Sequence, residues 1–200
     1  QNQIVFDASS EDQCFQIINF MKDRKIKITS VVNCVYPSNK GYHKPLDRKT
    51  LNEFSDNVAL HTSIYFNIMN SFGKYFSEIG GGNVISFSSI YGNSLPKFEI
   101  YEGTGFTMPI EYAAIKAAII QMNLYFAKYY KKNAVRFNCI SPGGIFNDQD
   151  ENFVKKYNSF SGVKGMLDAN DLFSTLDFLL DPRSKFVTGQ NIKIDDGFSL

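Results

Sequence analysis

Residues 83–92 read NVISFSSIYG: an apolar, β-branched run that breaks into two serines. Val84, Ile85 and Phe87 suit a strand, and Ser88 and Ser89 suit the turn that closes it. The same grammar recurs along the chain. Runs at 3–6 (QIVF), 28–32 (ITSVV), 83–87 (NVISF), 135–140 (VRFNCI) and 190–194 (QNIKI) read as strands. Between them, residues 11–24, 50–78, 110–132 and 168–181 carry helical periodicity. Asp168 opens the last of these with a capping side chain and acidic neighbours. Strands alternating with helices predict an α/β fold, a parallel sheet with helices on both faces.

In such folds the chemistry gathers at the carboxyl ends of the strands. Asp7 closes the first run and Asn33 the second, in VVNCVYP. Ser88 and Ser89 close the third, and SPGGI at 141–145 closes the fourth. Each is ordinary turn chemistry when taken singly. Together they place polar and glycine-containing segments where a ligand crevice belongs.

The helix at 110–132 begins within PIEYAAIKAA, residues 109–118. Tyr112 and Lys116 are four positions apart and share a face. One account is a lysine snorkelling past a half-buried tyrosine. The other is a tyrosine whose proton affinity is set by the ammonium beside it. Spacing alone does not choose.

Taken in order, these landmarks resemble the short-chain dehydrogenase/reductase family over essentially the whole chain. Tyr112-x-x-x-Lys116 resembles the family's catalytic pair, and Ser89 in SFSSIYG its catalytic serine. VVNCVYP is similar to the Asn-Asn-Ala-Gly segment, with Asn33 retained. SPGG corresponds to the Pro-Gly turn beside the nicotinamide, and FVTGQNIKIDDG to the closing strand. NCVYPSNKGY, KFEIYEGTGFTMPIEYAAIKAA and QNIKIDDGFSL further resemble a subgroup linked to flagellin-glycan and legionaminic-acid-type sugar synthesis.

The resemblance implies a Rossmann-like fold, NAD or NADP as cofactor, and a homodimer or homotetramer. It implies that Tyr112 moves the proton, Ser89 orients the substrate oxygen, and Lys116 stabilises the phenolate and holds the nicotinamide ribose. It implies that Asp7 and Ala8 meet the adenine, and that Asn33, Pro142, Gly143 and Ile145 line the cofactor site. Asp7 has a second reading, as a cap for the helix at 11–24. A free tyrosine titrates near 10, so an adjacent cation is expected to lower Tyr112.

Three features depart from the family pattern. His61, in LHTSIYF, stands where a fourth catalytic residue, an asparagine, is expected; a histidine can join a proton relay, or can simply fill a cavity. The stretch LPKFEIYEGTGFTMP lengthens the segment between Ser89 and Tyr112 and reads as a substrate-side loop. The family's opening strand, glycine-rich turn and helix have no counterpart, so an N-terminal βαβα portion of roughly fifty residues is expected to be missing. On that reading residues 1–200 are a single, N-terminally incomplete dehydrogenase domain.

Composition narrows the classes. With 21 Lys and Arg against 20 Asp and Glu, net charge gives no reason to expect nucleic acid as a partner. The basic run KYYKKN at 128–133 reads as a solvated helix end. Cys14, Cys34 and Cys139 form no C-x-x-C pair, and His43 and His61 lack metal-ligand spacing, so no metal site is expected. No run approaches a membrane span, and a cytoplasmic protein with a small polar substrate is expected. The resemblance implies an oxidoreductase on a sugar phosphate or nucleotide sugar, with a 3-oxoacyl-carrier-protein reductase-like enzyme or a non-catalytic partner subunit of the same fold as alternatives.

Overall fold

Val84 and Ile85 are neighbours in sequence, are both fully buried, and face opposite sides of one sheet. The computed structural model describes residues 4–200 and shows why both must be covered. Its elements run α1 (Glu11–Asp23), β1 (Ser30–Asn33), α2 (Leu51–Glu78), β2 (Gly82–Phe87), α3 (Ile110–Tyr129), β3 (Val135–Pro142), α4 (Glu151–Asn158), α5 (Phe173–Leu180) and β4 (Asn191–Ile194). The four strands form one parallel sheet in the order β1-β2-β3-β4. Val84, Val135, Phe137 and Cys139 pack against α1, α2 and α3. Ile85, Ile140 and Ile192 pack against Leu176, Leu179 and Leu180 of α5. This is the expected Rossmann-like α/β architecture, with helices on both faces.

Register brings the strand ends to one edge. Asn33 pairs with Ser86, Phe87 with Ile140, and Pro142 with Ile194. Because all pairs are parallel, the loops after β1, β2 and β3 leave the sheet on the same side. Helix α2 is held at its start by a reciprocal cap. Thr50 Oγ1 accepts from the Glu53 backbone at 3.3 Å, and Glu53 Oε2 accepts from the Thr50 backbone at 3.1 Å. Such a cap contributes about 1 kcal/mol. Burial contributes more: Phe76 of α2 and Phe137 of β3 are fully buried, roughly 1.5–3 kcal/mol each.

Four boundaries differ from the sequence reading. Ile4, Val5 and Phe6 form no strand, and Val5 is 97% exposed. Extended chain becomes a strand only when a neighbour completes its ladder, and among the described residues none pairs there; Gln3 lies outside the described residues. Helix α3 stops at Tyr129, and Tyr130 turns inward to stack on Phe137. Lys131 and Lys132 beyond it are exposed, as expected of a solvated helix end. The helix expected at 168–181 starts as a 3-10 turn, Ala169–Leu172, before α5 proper, with Asp171 Oδ2 accepting from the Asp168 backbone at 2.7 Å. Helix α4 was not visible in the sequence. Its short amphipathic pattern presents Phe153 and Tyr157 to a second cluster around Tyr91, Tyr101 and Phe198.

Candidate active site

The loops after β2 and β3 and the start of α3 surround a cavity of about 630 Å³. Ser89, Tyr112, Pro142, Gly143 and Ile145, all picked out from sequence, line it. Ser89 sits at the head of a single 3-10 turn, where its Oγ accepts from the Tyr91 backbone at 3.2 Å. Ser88 Oγ donates to the Lys116 carbonyl at 2.8 Å, tying β2 to α3, although Ser88 also borders the cavity.

Tyr112 and Lys116 do share a face. The Lys116 Nζ lies 5.6 Å from the Tyr112 ring centre and donates to the Phe87 carbonyl at 3.1 Å. Their electrostatics differ from expectation. Burial pushes the Tyr112 phenol up to about 12, with the Ser89 hydroxyl pulling the other way. Burial also brings Lys116 down to about 8. Loss of water around the phenolate therefore outweighs the cation one turn away.

The other sequence-predicted residues are placed as follows. Asn33 is 2% exposed at the end of β1; its Oδ1 accepts from the Val35 backbone at 3.1 Å and its Nδ2 has no partner. Asp7 is exposed and outside the cavity; its carboxylate accepts from the Ser9 backbone at 2.9 Å and the Ser9 hydroxyl at 2.7 Å. The cap of α1 is Ser10, not Asp7. Ala8, half-buried, accepts from Asn67 Nδ2 at 2.9 Å. His61 is 1% exposed and does not line the cavity. It lies flat on Tyr42 at 5.4 Å and against the edge of Tyr36 at 5.5 Å, and its ring nitrogens make no well-formed hydrogen bond, with only the Pro37 carbonyl close by. Burial, then the Lys116 charge, lowers its pKa, against a smaller pull from the Pro37 carbonyl and Glu111.

Pro142, Gly143 and Gly144 form a tight shelf. The Gly144 backbone donates to Tyr157 Oη at 2.6 Å, and a Cβ on Gly143 would lie 2.7 Å from that same oxygen. The loop read as substrate-side supplies Tyr101, Phe106, Thr107 and Met108 to the cavity wall. Its acidic residues Glu99 and Glu102 are exposed, and only their carbonyls are used, by Lys156. Tyr36, Tyr91 and Tyr157 also line the cavity and were missed. For Tyr157 the i, i+4 pairing with Phe153 was the available signal.

These residues fit a nicotinamide dinucleotide on structural grounds: a crevice at the strand ends and a shelf where side chains are excluded; Asn33, whose buried Nδ2 has no partner, ends β1 beside the crevice but does not line it. Among the described residues there is no cluster suited to a metal ion, and no helix is long and apolar enough to cross a membrane.

The fold and this constellation of Ser89, Tyr112 and Lys116 define a dehydrogenase/reductase class. The chain belongs to the short-chain dehydrogenase/reductase family: a family model described as enoyl-(acyl carrier protein) reductase matches residues 1–199. It is 36% identical to post-translational flagellin modification protein A of Campylobacter coli, over 97% of this chain and 76% of that protein. It is 24% identical to the 7alpha-hydroxysteroid dehydrogenase of Bacteroides fragilis, over 98% of this chain and 74% of that protein. A short chain dehydrogenase from Leptospira borgpetersenii, solved with bound NAD+, superposes with a TM-score of 0.88 at 31% identity, covering 98% of this chain and 75% of that one.

Proposed function

We propose that this oxidoreductase interconverts a secondary alcohol and a ketone on a sugar phosphate or nucleotide sugar, in the synthesis of a surface or flagellin glycan. The observation that carries the reading is the convergence of Ser89 and Tyr112 on one cavity, with Lys116 buried behind Tyr112. The similarity to a flagellin modification protein supports the glycan context. NAD or NADP, when bound, supplies or accepts the hydride at the substrate carbon. Asn33, Pro142, Gly143 and Ile145 would hold that cofactor, with Asp7 and Ala8 toward its adenine end.

In the reductive direction Tyr112 Oη gives its proton to the substrate oxygen while Ser89 Oγ donates a hydrogen bond to the same atom. In the oxidative direction the phenolate takes that proton back. Lys116, fixed on the Phe87 carbonyl, would stabilise the phenolate and hold the ribose of a bound cofactor. His61 has no part in this path on our reading, because it does not line the cavity.

Five tyrosines (Tyr36, Tyr91, Tyr101, Tyr112 and Tyr157) line the cavity. Their rings suit the apolar faces of a sugar and their hydroxyls suit its polar edge. A second reading has an observation of its own: Phe106, Met108, Phe153 and Leu176 also line the cavity and would accept the acyl chain of a 3-oxoacyl thioester. Exposed Tyr125 and Tyr129 on α3 and Phe66 on α2 support self-association through these helices.

The test is oxidation and reduction of a panel of sugar phosphates, nucleotide sugars and a 3-oxoacyl thioester, followed through the absorbance of the reduced nicotinamide. Turnover confined to the sugar compounds is expected. Turnover of the thioester alone would replace the reading, and none with any substrate would leave a partner subunit.

A further inference from the structure

Lys49 and Glu111 form an ion pair whose side chains are 4% and 0% exposed. The Lys49 ammonium is fully used. Besides Glu111 Oε1 it donates to the carbonyls of Gly41, at 2.5 Å, and Tyr42, at 2.9 Å. Glu111 lies in the first turn of α3, immediately before Tyr112. The pair therefore fastens the segment between β1 and α2 to the start of the helix that carries Tyr112 and Lys116.

That segment carries Tyr36 and Tyr42. Tyr36 lines the cavity with its ring centre 6.1 Å from that of Tyr112, and Lys116 Nζ lies 5.6 Å from it. The Tyr36 hydroxyl donates to Tyr42 Oη at 3.2 Å. Tyr42 is 1% exposed and stacks on His61. Tyr36 is thus backed by two buried rings, and the chain that bears it is pinned by Lys49.

Stability does not account for the pair. Stripping water from two charges costs about what their attraction returns, and an apolar pair of similar volume is often as stable or more so. Glu111 Oε2 has no partner, which adds to the cost. An apolar pair would lack direction, whereas three bonds from one ammonium fix the 41–42 backbone relative to α3. The turn is shaped for this: Gly41 holds φ at +83°, and a Cβ there would lie 2.5 Å from Glu53 Oε1.

We propose that Lys49 and Glu111 are positioning residues that hold Tyr36 against Tyr112 and Lys116, setting the cavity wall on which the substrate is oriented. The inference rests on Tyr112 being the proton-transferring residue. Lys49 and Glu111 touch neither substrate nor cofactor; they act through Tyr36.

The test uses the full-length protein and whichever substrate it turns over. Lys49→Met alone strands a buried carboxylate and is expected to cost the fold. The double variant Lys49→Met/Glu111→Leu removes both charges but leaves the Tyr42 carbonyl without its donor, and is expected to fold with a Tm within a few degrees of wild type. Its Kd for reduced nicotinamide should be unchanged and its kcat reduced by about tenfold or more, as misplacement of a positioning wall requires. Tyr36→Ala should reproduce that loss, and adding it to the double variant should cost nothing further, because both act through one element. A stable double variant with wild-type kcat would overturn the proposal, as would full additivity with Tyr36→Ala. If the double variant does not fold, Lys49→Arg carries the test: it keeps the charge but offers a planar fork in place of a tripod. Reduced kcat at unchanged cofactor affinity supports the proposal, and wild-type kcat overturns it. Should Tyr112→Phe retain full turnover, the assignment of the base fails separately from these readouts.

Discussion

Lys116 Nζ donates to the Phe87 carbonyl over 3.1 Å, two residues before Ser89 on the same strand exit. One side chain thereby ties the helix bearing Tyr112 to the strand bearing Ser89. Ser88 repeats the tie in the other direction through the Lys116 carbonyl. The spatial relation between the proposed proton donor and the serine is fixed by these two bonds rather than by the cavity wall.

The first consequence is a stability signature. Lys116 is lowered from 10.5 to about 8 by burial. Below that value both folded and unfolded chains carry the charge, and the folded state bears the full penalty. Between about 8 and 10.5 the unfolded chain binds more protons, so this group makes stability rise with pH. The total is on the order of 3 kcal/mol. Urea unfolding of wild type and Lys116→Met should therefore show the wild-type protein gaining on the variant from pH 8 to 10. A constant difference would contradict the shift.

The two directions of reaction should depend on pH differently. With Tyr112 near 12, its acid form dominates from pH 7 to 9. Reduction uses that form and should be nearly flat there. Oxidation needs the phenolate, so kcat/KM should rise with pH, less steeply above about 8, where Lys116 loses the charge that stabilises it. Initial rates in both directions across that range check this, and a flat oxidation profile would contradict it.

His61 offers a substitution that separates packing from chemistry. Its two ring nitrogens are buried between Tyr36 and Tyr42 with no well-formed hydrogen bond, only the Pro37 carbonyl being near. His61→Phe removes both while keeping an aromatic ring, and should leave Tm equal or higher. Turnover should stay within about threefold of wild type, short of the 10²-fold that loss of a proton relay costs. Thermal melts and kinetics on one preparation decide it.

Gly143→Ala tests the shelf beneath the proposed nicotinamide site. The new methyl would meet Tyr157 Oη at 2.7 Å and Asp195 Cβ at 2.8 Å. A cost of about 1–3 kcal/mol in denaturant unfolding is expected from such overpacking. An unchanged midpoint would mean the shelf yields freely.

Much of this was legible in the sequence for a local reason. β-Branched runs such as NVISF and VRFNCI declare strands within a few residues, and the polar residues ending them mark one edge of a parallel sheet. Tyr112 and Lys116 were legible because helical spacing puts them on one face. The run at 3–6 misled, since local composition describes a strand's preference and not whether a neighbour pairs with it. Helix α4 was missed because eight residues with two aromatic anchors give little periodicity. The expected lowering of Tyr112 failed because spacing reports the cation but not the loss of water. Lys49 and Glu111 lie 62 positions apart, and nothing local to either announces the pair.

The most direct test of the account is Tyr112→Phe in the full-length protein, assayed for turnover beside fluorescence titration with NADH and NADPH. The account predicts cofactor binding close to wild type and turnover reduced by at least about 10²-fold, since the ring stays and only the transferable proton is lost. Turnover at the wild-type rate with intact binding would contradict it, and the proton would have to come from another group on the cavity wall.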